Sequence, residues 1–320
     1  MIAFEAVRRV LPDSSKPAAD PHGPMLKVVI PPGVDAAGIG DILENSGVVA
    51  DGSRFRNYAK EQGEGAEFKA GSYRIRAGSD YDVIIRELDN GMVAVRIRKL
   101  LIPEGFRLTE IEDRVPSAGI SKAAYRRAVD AASPPGMFGN PSSMEGFLFP
   151  ATYDVTAKTT ASSLVAQQRQ AFTNAFQKVD MSYAASRNLT PYDVLIIASM
   201  IEREAQVPGE RPLIAAVIYN RLHLGMPLGI DATLLYEQGS WSHQLTVSEL
   251  AANTPYNTRL RHGLPPTPIS NPGLASLQAA AHPAKVGYLY YVRKPDKQHH
   301  FFTASYQAFL DYARAHGYGG

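Results

Sequence analysis

Apolar positions change their spacing along this chain, and the change divides it. Between residues 25 and 98, short alternating runs trade places with helical ones. Leu26-Lys27-Val28-Val29-Ile30 predicts a strand that stops at Pro31-Pro32-Gly33. Ile39, Ile42 and Leu43 give Ala37 to Asn45 a helical period, which Gly47 ends. Phe55 to Gln62 predicts a second helix. Ala70 to Ile75 alternates as a strand, and Tyr81 to Leu88 is helical up to Asn90-Gly91. Val93 to Ile102 alternates again before Pro103-Glu104-Gly105. The segments "VVIPPGVDAAGIGDIL" and "KLLIPEGFRLTEIEDRV" share an apolar strand, a Pro-x-Gly turn and an amphipathic helix. They read either as two copies of a repeat or as shared turn chemistry.

From residue 107 the period is mostly helical. Helices are predicted over Arg107–Val115, Ser121–Ala131, Ser162–Gln177, Met181–Asn188, Pro191–Ala205, Arg211–Leu224, Val247–Ala252, Ala275–Ala281 and Ser305–Ala315. Gly287 to Val292 and His300 to Thr303, around a polar turn at Lys294–Gln298, predict a β-hairpin. The adjacent His299-His300 is expected on a solvated loop. Four prolines among residues 11–24 predict an extended linker. The expected fold class is α+β. Residues 1–24 form the linker, 25–98 a small α/β unit, and 99–320 a mainly helical domain with a short hairpin.

Composition narrows the chemistry. The charges sum to 33 − 31 = +2, which implies no strong field for nucleic acid. With no cysteine there is no disulfide, thiolate metal site or thiol nucleophile. No His-x-x-x-His or Glu-x-x-His spacing points to a metal, and no cofactor motif is present. No run approaches the roughly 20 apolar residues of a membrane span.

One helix combines a buried pattern with acids. Thr190 caps, Pro191 suits the first helical position, and Asp193 lies third. Val194 to Ile201 is apolar all round, so the helix is central. Glu202, Arg203 and Glu204 follow. A carboxyl among apolar neighbours is driven toward its neutral form, as a general acid requires. Glu202 lies on the face of Leu195, Ala198 and Ser199, and Glu204 on that of Ile197, Met200 and Ile201, so periodicity alone does not separate them. A buried ion pair with Arg203, Arg211 or Arg221 is the alternative.

At "ASMIEREA" (198–205), "ERPLIAAVIYNRLHLGMPLGIDATLLY" (210–236) and "TPYNTRLRHGLPPTPISNPGLASLQAAAHPAKVGYLYYV" (254–292), the chain resembles the endolytic murein transglycosylase family, MltG/YceG-like. "EGFLFPATYDV" (145–155) fits the same family, and the resemblance covers about residues 25–315. It implies a LysM-like fold for 25–98 and a catalytic domain over 99–320. It implies an enzyme that cuts peptidoglycan glycan strands outside the cytoplasm, tied to the membrane by an N-terminal helix absent from this sequence and working with cell-wall synthases. It places the catalytic carboxyl on the first glutamate of the triplet, Glu202. One such group protonates the leaving oxygen and then takes the proton of the muramoyl C6 hydroxyl, which closes a 1,6-anhydro ring. Glu145, Ser199, Glu204, Asn220, Arg221, Asp231, Thr233, Tyr256 and Asn257 are the candidate substrate contacts. Ala151, Gly229 and Arg259 depart from the family's usual residues. A water-using muramidase, which needs a second carboxylate, and a non-catalytic glycan-binding scaffold are the competing readings.

Overall fold

The structure, a computed structural model, describes residues 20, 22–63, 68–90 and 97–318. The chain is an α+β protein that divides into two compact units, Met1–Arg96 and Ile97–Gly320. Most of the expected linker, and residues 93–96 of the strand expected from Val93, lie outside the described residues. No described helix is long and apolar enough to cross a membrane.

In the first unit, β1 (Met25–Ile30) leads to α1 (Ala36–Asn45) and α2 (Gly52–Glu61). β2 (Gly71–Arg76) then pairs antiparallel with β1, Met25 opposite Arg76, and α3 (Tyr81–Asn90) follows. Alternation along the strands turns Val28, Ile30, Tyr73 and Ile75 inward onto Ile39, Leu43, Phe55, Ile84 and Leu88. α2 begins three residues earlier than its apolar period predicts, because Asp51 accepts the Arg54 N–H as an N-cap. The start of α2 approaches α1 at Gly40 and Gly52, where a Cβ on either would overlap the other's carbonyl.

The second unit opens with β3 (Arg98–Leu101), α4 (Leu108–Arg114) and α5 (Lys122–Asp130). β4 (Thr152–Val155) pairs antiparallel with β3. There follow α6 (Ala161–Phe176), α7 (Ser182–Ser186), α8 (Pro191–Glu204), α9 (Arg211–His223), α10 (Asp231–Glu237), α11 (Val247–Leu250) and α12 (Leu274–Ala281). β5 (Tyr290–Arg293) and β6 (His300–Thr303) form an antiparallel hairpin, and α13 (Tyr306–Ala315) ends the unit. α8 is the central helix: Val194 to Ile201 are all buried, and α9, α10 and α12 pack on it. Thr190 and Asp193 form the reciprocal N-cap expected of it.

Three details differ from the pattern reading. β4 and α10 are additional elements. β5 starts at Tyr290, later than Gly287, because side chains take the carbonyls before it: Asn220 donates to Val286 and Tyr288 and Arg221 to Leu289. The two similar segments are each strand, turn and helix, β1–α1 and β3–α4. Gly33 and Gly105 sit in them at φ of 80° and 78°, a backbone that glycine adopts without strain.

Candidate active site

α8 ends in Glu202-Arg203-Glu204, and residues two apart on a helix point about 200° apart. The two carboxylates therefore meet different surroundings. Glu202 turns toward the 271–273 segment. It accepts the Gly273 N–H at 2.9 Å and pairs with Arg211 at 3.3 Å, and its side chain is only 6% exposed. Arg211 is itself fixed by the Ser276 hydroxyl at 3.0 Å. Glu104 stands beside Glu202; burial and then the Glu202 charge push its carboxyl up, against Arg211. A Cβ on Gly273 would overlap the Glu104 carboxylate. On this side Arg211 compensates the Glu202 charge, and the neighbouring Glu104 is exposed.

Glu204 turns the other way and lines a cleft of about 1150 Å³. α8, the start of α10, the hairpin and α13 contribute to its wall. Burial, and next the Asp231 carboxylate, push the Glu204 carboxyl up to about 7; Arg293, a hydrogen bond with the Tyr291 hydroxyl, and Arg203 oppose this. Burial also holds the Tyr291 phenol well above its ordinary range, and Glu204 adds to it. A carboxyl poised near neutrality on a cleft wall can give a proton and take one back. The cleft is also aromatic: Tyr290 clusters with Tyr306 and Phe309 at ring separations of 5.3 and 5.6 Å, and Tyr306 stays 57% exposed. Trp241 lies on the wall beneath the Arg203 guanidinium, 3.9 Å from the ring, and donates its indole N–H to Glu110 at 2.8 Å.

Of the residues predicted from sequence, Glu204, Arg221 and Asp231 meet at this cleft. Asp231 is bound by Arg259 at 2.6 Å, so the residue that departs from the family pattern is an ion-pair partner. Arg221 lines the cleft with its stem and stacks on Tyr290, but its guanidinium serves the carbonyls of Leu228 and Leu289, each at 2.6 Å. Asn220 supports the same strand entry.

The other predicted contacts point into the fold. The Ser199 hydroxyl donates to Ile196 O and accepts the Ile269 N–H. Thr233 bonds Ile230 O and Thr258, and the Asn257 amide donates to the carbonyls of Leu250 and Ala252. Tyr256 bonds the Thr267 hydroxyl and packs on Tyr236. Glu145 is buried against the first turn of α4, where both its oxygens accept the Leu108 N–H. Asn271 and Tyr236 donate to it as well. Burial still outweighs the Leu108 and Tyr236 bonds and pushes its carboxyl up to about 7. Their polar atoms bond within the fold and hold the loops around the cleft.

Pattern reading missed Arg293, Trp241 and the pair Glu210–His300. His299 is exposed as expected, but His300 is buried at the start of β6. Strict alternation in His300-Phe301-Phe302 puts His300 on the face of Phe302, which packs against the core. That was the available signal.

Comparison with known proteins agrees with this architecture. The profile of the YceG-like family matches residues 28–315. A Bacillus subtilis protein named endolytic murein transglycosylase is 30% identical over 285 residues, 84% of this chain and 79% of that protein. A Streptococcus pneumoniae protein of the same name is 30% identical over 296 residues, and the chain spans 53% of its length. The 2.6 Å crystal structure of a yceG-like protein from Listeria monocytogenes superposes with a TM-score of 0.60 at 30% identity, over 90% of this chain and 99% of that one. With a match over most of its length to the profile and to these relatives, the chain belongs to the YceG-like family.

Proposed function

We propose that this protein is an endolytic peptidoglycan lytic transglycosylase whose acid and base is Glu202. The observation that carries the assignment is the triplet at the end of α8, where Glu202 stands beside the exposed Glu104 with one oxygen on Arg211 and the other on the Gly273 N–H. Glu204, on the opposite side of the helix end, lines a cleft large enough for several sugar rings and is read as a substrate contact there.

The protonated Glu202 gives its proton to the glycosidic oxygen between N-acetylmuramic acid and N-acetylglucosamine, and that bond breaks. The carboxylate then takes the proton of the muramoyl C6 hydroxyl, whose oxygen bonds to C1. Glu202 is restored and no water is consumed. Tyr291 orients the Glu204 carboxyl, and the Tyr290, Tyr306 and Phe309 cluster offers rings to stack on sugar faces. The first unit is read as LysM-like over 25–98 with a positioning role, and 99–320 as the catalytic domain. The site of action is the cell envelope, outside the cytoplasm, in company with cell-wall synthases and through a membrane anchor.

A second reading rests on Asp231. It shares the cleft with Glu204, and a muramidase uses two carboxyl groups and a water. Mass spectrometry of digested glycan strands separates the two. Products one water lighter than hydrolytic ones, lost in Glu202→Gln, are expected. Reducing-end products would move the assignment to a muramidase with Asp231 as partner. Undiminished cleavage by Glu202→Gln would remove Glu202 from the mechanism.

A further inference from the structure

The mechanism above leaves unused a buried pair in the cleft wall. Glu210, in the turn before α9, closes on one residue of β6 with both oxygens. Oε1 accepts the His300 backbone N–H at 2.9 Å, and Oε2 lies 2.6 Å from His300 Nδ1. The two side chains are 10% and 2% exposed. A carboxylate only accepts, so Nδ1 carries the proton, and in the neutral ring Nε2 keeps a lone pair. No described residue bonds Nε2. The ring belongs to the cleft lining together with Glu204 and Tyr291, and it meets the Tyr291 ring edge-on at 5.3 Å. The chain thus sets an oriented imidazole next to the phenol that bonds Glu204.

We propose that His300 is a substrate-binding residue, its Nε2 accepting a hydrogen bond from a sugar hydroxyl or acetamido N–H in the cleft, with Glu210 as the positioning residue that fixes the tautomer. The proposal rests on the glycan-cleaving reading of the cleft. It adds a buried, oriented neutral acceptor to a wall that also carries Arg203, Glu204, Arg221, Asp231 and Arg293. Tying β6 to the entrance of α9 is the purely structural alternative, and the two readings differ in what each ring nitrogen does.

Two isosteric changes divide the roles. In His300→Asn the amide nitrogen stands where Nδ1 was, so the bond to Glu210 survives and Nε2 is lost. In His300→Gln the terminal oxygen reaches the place of Nε2. The expected result is a melting temperature near that of the parent for His300→Asn, with glycan affinity in a Glu202→Gln background reduced about tenfold, the scale of one lost neutral hydrogen bond. His300→Gln is expected to recover part of that affinity. Nitrogen NMR of the histidine-labelled parent is an independent check: His300 should show a protonated Nδ1 and an unprotonated Nε2, and the Nε2 signal should move when muramoyl-containing oligosaccharide is added. Unchanged affinity in His300→Asn, the opposite tautomer, a doubly protonated ring, or an Nε2 signal indifferent to bound sugar would each overturn the proposal. If the parent binds strands without cleaving them, the transglycosylase reading fails, and the NMR titration still decides the role of His300.

Discussion

The two units are held by different kinds of core. The first is apolar throughout: no polar side chain among its described residues is buried. The second buries twelve, from Glu112 to His300, most of them bonded across long stretches of sequence. Apolar contact is non-directional, so the first unit asks its residues for volume and shape. Hydrogen bonds are directional and costly to leave unmade, so the second unit asks for particular atoms. Asn271 illustrates this. Its Oδ1 accepts the Leu148 N–H at 2.8 Å, while Nδ2 donates to Phe106 O at 2.9 Å and Glu145 at 3.0 Å. One side chain joins three segments of the chain.

The contrast breaks if shape alone suffices in both units. Leu43→Ala in the first should cost about 2–5 kcal/mol, but Leu43→Met less than about 1.5 kcal/mol. Asn271→Leu, close in volume, should still cost about 2 kcal/mol, because it strands the buried Leu148 N–H and takes one donor each from the Phe106 carbonyl and Glu145, which keep their other partners. Native-state hydrogen exchange, read separately in each unit, measures all three. A mild Asn271→Leu would mean that the polar frame is dispensable.

A pH series sharpens the same point. Glu145 binds its proton more tightly in the folded chain than in the unfolded one, about 7 against 4.5. Stability from this group is therefore present below about pH 4.5 and is lost as pH rises through about 7, by up to roughly 3 kcal/mol. Melting should occur at lower temperature at pH 8 than at pH 5, and Glu145→Gln should flatten that slope. An equal slope in the variant would place the proton elsewhere. The smallest effect on rate is expected at Glu204→Gln, within about tenfold of the parent, against loss of turnover in Glu202→Gln. A Glu204→Gln rate as low as that of Glu202→Gln would reverse the roles given to the two acids.

Local signals made much of this legible. Thr190-Pro191-Tyr192-Asp193 and eight apolar residues announce a capped, central helix, and α8 is that helix. The hairpin followed from alternation around a polar turn. What sequence could not decide was which glutamate faces open space. Both helix faces are apolar up to Ile201, and the difference comes from Gly273 and Tyr291, brought in by chain that returns some 70 to 90 residues later. His300 escaped for a related reason: two adjacent histidines read as solvated, and only the strand's alternation sends one of them inward. Tertiary neighbours set the role, and a single sequence does not carry their positions.

Trp241 is the chain's only tryptophan. With Arg203 over one face and the cleft beside it, its indole emission reports from a single place in the molecule. A glycan that enters the cleft and shifts the guanidinium changes the colour and yield of that light. The protein therefore carries its own optical gauge of occupancy, readable without a label and in the inactive variants as readily as in the parent.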